Sequence, residues 1–94
     1  MRIRITVGEV SLEAELNDTP TARKIAEILP FEGPFNTWGD EIYFEIPVQA
    51  ELEQGAKETK SFLPVLVNII GRVLDDATML KQVMNEEKIR LEAL

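Results

Sequence analysis

Apolar residues occupy every second position of residues 3–7 and again of residues 10–16. Gly8 and Glu9 stand between the two runs and break the alternation. A period of two that is interrupted by two residues, one of them glycine, is typical of a β-hairpin. Arginines and glutamates fill many of the intervening positions, and their opposite charges favour cross-strand pairs on the solvent face.

A helix is predicted to begin at Pro20. Thr19 precedes it and can accept a hydrogen bond from the exposed N–H groups of the first turn, while proline suits the first helical position. Apolar residues then recur at helical spacing as far as Leu29, and Pro30 cannot continue the helix. The pattern predicts a short amphipathic helix over residues 20–29.

The next part of the chain changes pattern twice. Residues 31–39 are rich in Gly, Pro and aromatic side chains, which favours irregular structure. Residues 41–47 alternate again, and the alternation predicts a strand with Ile42, Phe44 and Ile46 turned inward.

A polar segment and an apolar segment follow. Residues 51–61 are polar, contain Gly55 and are expected to form a loop. Residues 65–73 are apolar on both parities and rich in β-branched side chains, which predicts a buried strand. A helix over residues 63–84 is the alternative for this region.

The C-terminal part predicts one more helix and one more strand. Residues 77–84 form a short helical pattern that Asp76 can cap. Residues 88–94 alternate with three apolar positions turned inward, namely Ile89, Leu91 and Ala93. Five strands and two short helices predict a mostly β single domain, a small barrel or sandwich with helices at its ends.

Charge and composition exclude several classes of function. The chain has 94 residues, with 10 Lys and Arg against 17 Asp and Glu, and its net charge of −7 argues against a nucleic-acid partner. The chain contains no cysteine and no histidine, so disulfides, thiolate nucleophiles and the commonest metal ligand are missing. We therefore expect no cofactor and no metal site.

Targeting and membrane segments are not expected either. The first five residues alternate and lack the apolar run of about 7–15 residues that a signal peptide carries. The longest apolar run, residues 62–67, is far shorter than the roughly 20 residues that a bilayer requires. The sequence predicts a cytoplasmic protein without a membrane partner.

Three segments, residues 14–22, 35–44 and 67–73, resemble the small prokaryotic cyclophilin-like family. The second segment reads Phe-Asn-Thr-Trp-Gly-Asp-Glu-Ile-Tyr-Phe, a specific string of mixed chemistry. The segments stand in family order, and the resemblance covers residues 1–54 and 62–94. It implies a small closed β-barrel of cyclophilin topology within a single domain of residues 1–94.

The chain departs from the family pattern at about residues 55–61. Family members carry an additional stretch there that includes an aromatic strand, whereas here only residues 59–61 join Glu58 to Phe62. A barrel that lacks this wall exposes unpaired strand edges, which pair readily with another chain. We therefore expect a homodimer that joins these edges across a two-fold axis.

Active cyclophilins isomerise prolyl peptide bonds in a groove that contains an arginine, aromatic residues, a glutamine and often a histidine. This chain has no histidine and no run like the arginine–phenylalanine–glutamine run of active members. The resemblance therefore implies a non-catalytic module that binds a proline-containing peptide or a small apolar ligand. A weak peptidyl-prolyl isomerase that uses Trp38 is the alternative, and a structural domain without a ligand is the third hypothesis.

Six residues are candidates for ligand contact, namely Phe35, Asn36, Thr37, Trp38, Tyr43 and Arg72. The aromatic members, together with Phe31 and Phe44, can form an apolar pocket. In the alternative interpretation Trp38 is a plug that shields the end of the core, and Asn36 and Thr37 serve only as turn formers. Arg72 lies in a matched segment, but it does not align with the catalytic arginine of active cyclophilins, so its alternative role is a solvated charge at the barrel rim.

Overall fold

The computed structural model describes residues 1–39, 41–58 and 66–94. This part of the chain contains nine β-strands, one α-helix and one 3₁₀ helix, which confirms the mostly β class. In chain order they are β1 (Arg2–Val7), β2 (Val10–Leu16), α1 (Pro20–Ile28), β3 (Phe31–Pro34), β4 (Asn36–Trp38), β5 (Glu41–Tyr43), β6 (Lys57–Glu58), β7 (Leu66–Val67), β8 (Gly71–Val73), the 3₁₀ helix (Ala77–Val83) and β9 (Lys88–Ala93).

The largest sheet has five antiparallel strands in the order β3-β9-β1-β2-β8. The predicted hairpin is confirmed, because β1 pairs with β2 and Val7 lies opposite Val10 at the turn. Gly8 has a positive φ of 57°, a conformation that a residue without Cβ adopts easily. Two further sheets have two strands each, β4-β5 and β6-β7.

The outward face of the large sheet carries the charged residues of the hairpin. Arg2 lies opposite Glu15 and Arg4 opposite Glu13, as the alternation predicted. The Arg2 guanidinium also approaches the Glu13 carboxylate diagonally, with an N–O distance of 3.7 Å. This face is therefore solvated, and the apolar face on the other side of the sheet forms the core.

Two clusters of buried side chains cover the inward face of the sheet. One lies at the turn end of the hairpin, where Val7 and Leu12 pack with Val83 of the 3₁₀ helix. The other lies at the opposite end, where Leu16 packs with Ala22 of α1. The two helices thus cover opposite ends of the core.

The predicted helix starts are confirmed. Thr19 caps α1 by accepting a hydrogen bond from the Ala22 N–H at 3.4 Å, and Pro20 is the first helical residue. Asp76 caps the 3₁₀ helix by accepting hydrogen bonds from the Thr78 N–H at 3.0 Å and the Thr78 hydroxyl at 2.6 Å. None of the helices in the described residues is long and apolar enough to cross a bilayer.

The prediction of irregular structure over residues 31–39 is wrong. β3 pairs with β9, and β4 pairs with β5. β3 is an edge strand of the five-stranded sheet, and an edge tolerates Pro34 because one side of the strand needs no N–H donor. Glycine and proline therefore mark an edge strand here instead of a loop.

The prediction of one buried strand over residues 65–73 is also wrong in the part that is described, which begins at residue 66. β7 and β8 belong to different sheets, and the residues between them have no regular structure. The Asn68 side chain stabilises the irregular segment between β7 and β8, since its Nδ2 donates to the Glu51 carbonyl at 2.8 Å. The alternative of a continuous helix over residues 63–84 is wrong for the same described residues.

The strand predicted at the C-terminal end is confirmed as β9, with Ile89 and Leu91 buried. Ala93 lies opposite the buried Ile3 and so faces inward as predicted, although it is exposed at the end of the strand. A closed barrel is not found among the described residues, because β3 and β8 are the two edges of an open five-stranded sheet. The homodimer that we expect from unpaired edges stays a prediction.

Candidate functional site

The β4-β5 ribbon presents two exposed aromatic residues on one face. Asn36 lies opposite Tyr43, and Trp38 lies opposite Glu41. Side chains alternate across a strand, and partners directly opposite each other share a face. Asn36, Trp38, Glu41 and Tyr43 therefore lie on the same side of the ribbon, and we call this set the aromatic face.

The aromatic face is open to solvent. Trp38 is 50% exposed and Tyr43 is 53% exposed. Tyr43 is the diagonal neighbour of Trp38 across the ribbon, and such neighbours lie roughly 7–8 Å apart. Two large rings thus border a short strip of surface, with the Asn36 amide beside them.

The opposite face of the ribbon fixes it to the protein. Thr37 lies opposite Ile42 on that face. Ile42 packs against the core cluster that contains Val7 and Leu12, and so do Phe44 and Ile46 beyond the end of β5. The three side chains that were predicted to point inward therefore do so, and they anchor the aromatic face to the core.

The five aromatic residues do not meet in one pocket. Phe35 is only 8% exposed and belongs to the core cluster, and its N–H donates to the Glu87 carbonyl at 3.3 Å. Phe31 and Phe44 stack with ring centroids 5.9 Å apart and pack against the same cluster. Trp38 and Tyr43 lie outside that cluster, so the alternative of Trp38 as a buried plug does not fit its exposure.

The other polar candidates separate as well. Thr37 is exposed, but it lies on the anchored side of the ribbon, away from Trp38. Arg72 lies on β8 opposite Glu15, at the edge of the five-stranded sheet. Because the neighbouring pairs place Ala14 and Val73 inward, Arg72 points outward and is solvated. The candidate site therefore reduces to Asn36, Trp38 and Tyr43, with Glu41 added.

Two concavities adjoin these elements. A groove of about 330 Å³ contains Asn36 together with Glu32, Pro34 and Glu45, so it continues the surface beside the aromatic face. A cavity of about 210 Å³ lies on the inward face of the large sheet, with walls that are almost wholly apolar. The side chains in those walls include Ile3, Leu16, Phe44, Ile70, Val73 and Leu91.

A polar network that the sequence did not predict joins α1 to distant segments. The Glu53 carboxylate accepts hydrogen bonds from Thr21, and the Glu53 N–H donates to Asn68 Oδ1 at 2.7 Å. Asn68 Nδ2 in turn donates to the Thr21 hydroxyl at 2.9 Å. A Thr in the first turn of a helix and an Asn within an apolar run are the weak signals that pointed to it.

The same network lowers the pKa of Glu53. The Thr21 hydroxyl and then the Thr21 N–H stabilise the carboxylate, and Thr19 and the charge of Arg23 lower the pKa further. Partial removal from water acts in the opposite direction. The charged form of Glu53 is thus favoured as a structural group, and no group of three or more Asp or Glu among the described residues could hold a metal ion.

Comparison with known proteins agrees with the predicted resemblance. A hypothetical protein from Archaeoglobus fulgidus, with a structure determined in solution, superimposes with a TM-score of 0.75 at 27% identity, over 100% of this chain and 95% of that chain. No curated protein matches the chain. The profile of the family described as cyclophilin-like matches residues 1–62. Since this match spans well over half of the 94 residues, the chain belongs to the cyclophilin-like family.

Proposed function

We propose that this protein is a non-catalytic binding module that takes a proline-containing peptide on its aromatic face. One observation carries the proposal: Trp38 and Tyr43 are each about half exposed, on the same side of a ribbon whose other side is anchored in the core. Large aromatic side chains are usually placed where they bury apolar area. Two of them held outward together favour an interaction surface.

The geometry suits an extended peptide that contains proline. Proline-rich segments adopt a preformed left-handed helix and dock on surfaces that exposed aromatic rings line. The rings of Trp38 and Tyr43 supply apolar area, and the Tyr43 hydroxyl can bond the peptide backbone. The Asn36 side-chain amide forms no hydrogen bond to another described residue, so it can pair with a peptide carbonyl or N–H group.

Binding without catalysis is favoured by what surrounds the aromatic face. The sequence contains no histidine, and Arg72 lies on a different sheet and points to solvent. The described part of the aromatic face therefore offers rings and an amide but no cation to polarise a prolyl amide. The small apolar ligand is the second candidate, and the concavity of about 210 Å³ favours it, because its walls are almost wholly apolar and ligand sites are mostly lined by apolar side chains.

The proposal is tested by titrating the protein with a proline-containing peptide while following the fluorescence of Trp38, the one tryptophan in the chain. Saturable binding is expected, and replacing proline by alanine in the peptide should weaken it. Tyr43→Ala should weaken binding as well, whereas Thr37→Ala on the anchored side of the same ribbon should leave it unchanged. Equal binding by both variants would remove the aromatic face as the site.

A coupled isomerisation assay on a proline tetrapeptide separates the module from an enzyme. We expect the rate to stay at the uncatalysed background. Activity well above background that disappears in Trp38→Ala, with an intact circular dichroism spectrum, would replace the binding module by a weak isomerase.

A further inference from the structure

The negative charge of this protein is concentrated in one stretch of sequence. Residues 25–56 contain no Lys, Arg or His, and they contain seven of the 17 acidic residues. The other ten acidic residues are balanced by the ten Lys and Arg of the chain, so this stretch carries the whole net charge of −7. The aromatic face lies within it.

Two acidic residues of this stretch stand directly beside the exposed rings. Glu41 lies opposite Trp38 on the aromatic face. Glu45 is exposed two residues beyond Tyr43, and it lines the groove that also contains Asn36. Neither carboxylate forms a hydrogen bond or an ion pair with any residue in the described part of the chain.

Two other acidic residues of the same stretch, Glu32 and Glu53, are already engaged. Glu32 forms an ion pair with Arg90 at 3.9 Å, and Glu53 accepts the hydrogen bonds of Thr21. Lys24 of α1 donates to the Gln49 carbonyl at 2.7 Å, so this cation is engaged as well. The carboxylates of Glu41 and Glu45 therefore stand beside the rings with their charge unpaired among the described residues.

We propose that the aromatic face selects basic peptides, in which Lys or Arg flanks the proline. This inference rests on the proposed function and adds the charge of the ligand to it. Glu41 and Glu45 would attract the basic side chains, and complementary charge both speeds association and excludes acidic partners. The faces of Trp38 and Tyr43 reinforce the choice, because aromatic rings attract Arg and Lys by cation–π contact.

The test compares three peptides that share one proline-containing core and differ only in flanking Lys, Gln or Glu residues. Titrations at low salt, followed by Trp38 fluorescence, should rank the Lys peptide tightest and the Glu peptide weakest. The differences should shrink as salt is added, since exposed charges are screened beyond roughly 8 Å at physiological ionic strength.

Variants of the protein test whether Glu41 and Glu45 cause the preference for basic peptides. Replacing both Glu41 and Glu45 by Gln should reduce the preference for the Lys peptide over the Gln peptide by on the order of fivefold. Binding of the neutral Gln peptide should remain. Glu15→Gln is the matched control, because Glu15 is an exposed glutamate on β2, in a different sheet, and it should leave the preference intact.

The possible outcomes separate this inference from the proposal beneath it. Equal affinity for the Lys and Gln peptides overturns the charge selection and leaves the proline-binding module standing. No binding of any of the three peptides overturns both. A basic peptide with alanine in place of proline that binds as tightly as the proline form keeps the charge selection and overturns the preference for proline.

Discussion

Glu53 accepts two hydrogen bonds from Thr21, one from its backbone N–H at 2.8 Å and one from its hydroxyl at 2.6 Å. Thr21 lies in the first turn of α1, where the N–H groups have no partner within the helix. A carboxylate there also lies at the positive end of the helix dipole. A side chain 32 positions away in sequence therefore caps α1 together with Thr19.

Protonation of Glu53 should weaken the fold in acid. Its folded pKa is below the ordinary value of 4.5, so the unfolded chain binds more protons in the window between the two values. The contribution of Glu53 is complete above the ordinary value and is lost as the pH falls through the lower folded pKa.

Urea unfolding of the wild type and Glu53→Gln between about pH 6 and about pH 3 measures this effect. The two proteins should differ most at the higher pH, and the difference should narrow towards the lower one. Glu9→Gln in the hairpin turn is the control and should show no such convergence. A difference that stays constant over this range would show that the carboxylate charge does not hold the contact.

Thr21→Val should destabilise the protein although it keeps the shape of the side chain. The Thr21 hydroxyl is buried, with the residue 9% exposed, and valine removes the donor to Glu53 and the acceptor of Asn68. We expect a loss of about 1–2 kcal/mol in the free energy of unfolding. Thr37→Val at an exposed position should change it by less than about 0.5 kcal/mol.

Gly71→Ala should disturb the edge strand β8. A Cβ at this position would collide with the backbone carbonyl oxygen of Glu15 on the neighbouring strand, and a backbone atom cannot move aside easily. The expected loss is about 3 kcal/mol in the free energy of unfolding, from chemical denaturation. Gly39→Ala meets no neighbouring atom and should cost only the strain of its positive φ of 56°, about 1 kcal/mol. Equal losses in the two variants would argue against the close approach of β8 to β2.

Substitutions at two neighbouring positions of β5 should separate stability from peptide binding. Ile42→Ala removes an apolar side chain that packs against the core, and we expect a loss of about 2 kcal/mol in the free energy of unfolding. Tyr43→Thr keeps a residue type that favours strands and removes an exposed ring, so stability should change by less than about 0.5 kcal/mol. Peptide titration of the same two proteins should show the reverse order, with Tyr43→Thr the more damaging.

The sequence predicted those elements whose determinants are local. The β1-β2 hairpin follows from its own alternation and from Gly8, and the start of α1 follows from Thr19 and Pro20. The sequence also selected Trp38 and Tyr43 by their chemistry, although it grouped them with Phe35, which the structure places in the core. Burial of an aromatic residue depends on which face of a strand it occupies, and residues 31–39 gave no alternation from which that face could be read.

The remaining errors concern long-range partners. β3 is a strand because β9 pairs with it, and its own glycine and proline argue for a loop. The apolar run around Asn68 is broken because the Asn68 amide bonds to Glu51 and Thr21, which are distant in sequence. A pattern of apolar residues carries no information about such partners.

The position of β9 determines when this fold can form. β9 lies between β3 and β1 in the sheet, and Leu91 has Phe31 on one side and Ile5 on the other. A nascent chain that has emerged only as far as the 3₁₀ helix can close the local β1-β2 hairpin, but β3 has no strand beside it. β3 becomes part of the sheet only after residues 88–93 have been synthesised, because β9 must pair with β1 on one side and with β3 on the other. Both pairings close long loops in the chain. The complete five-stranded sheet therefore cannot form before β9 has been made, and β3 with its aromatic Phe31 has no strand partner until then.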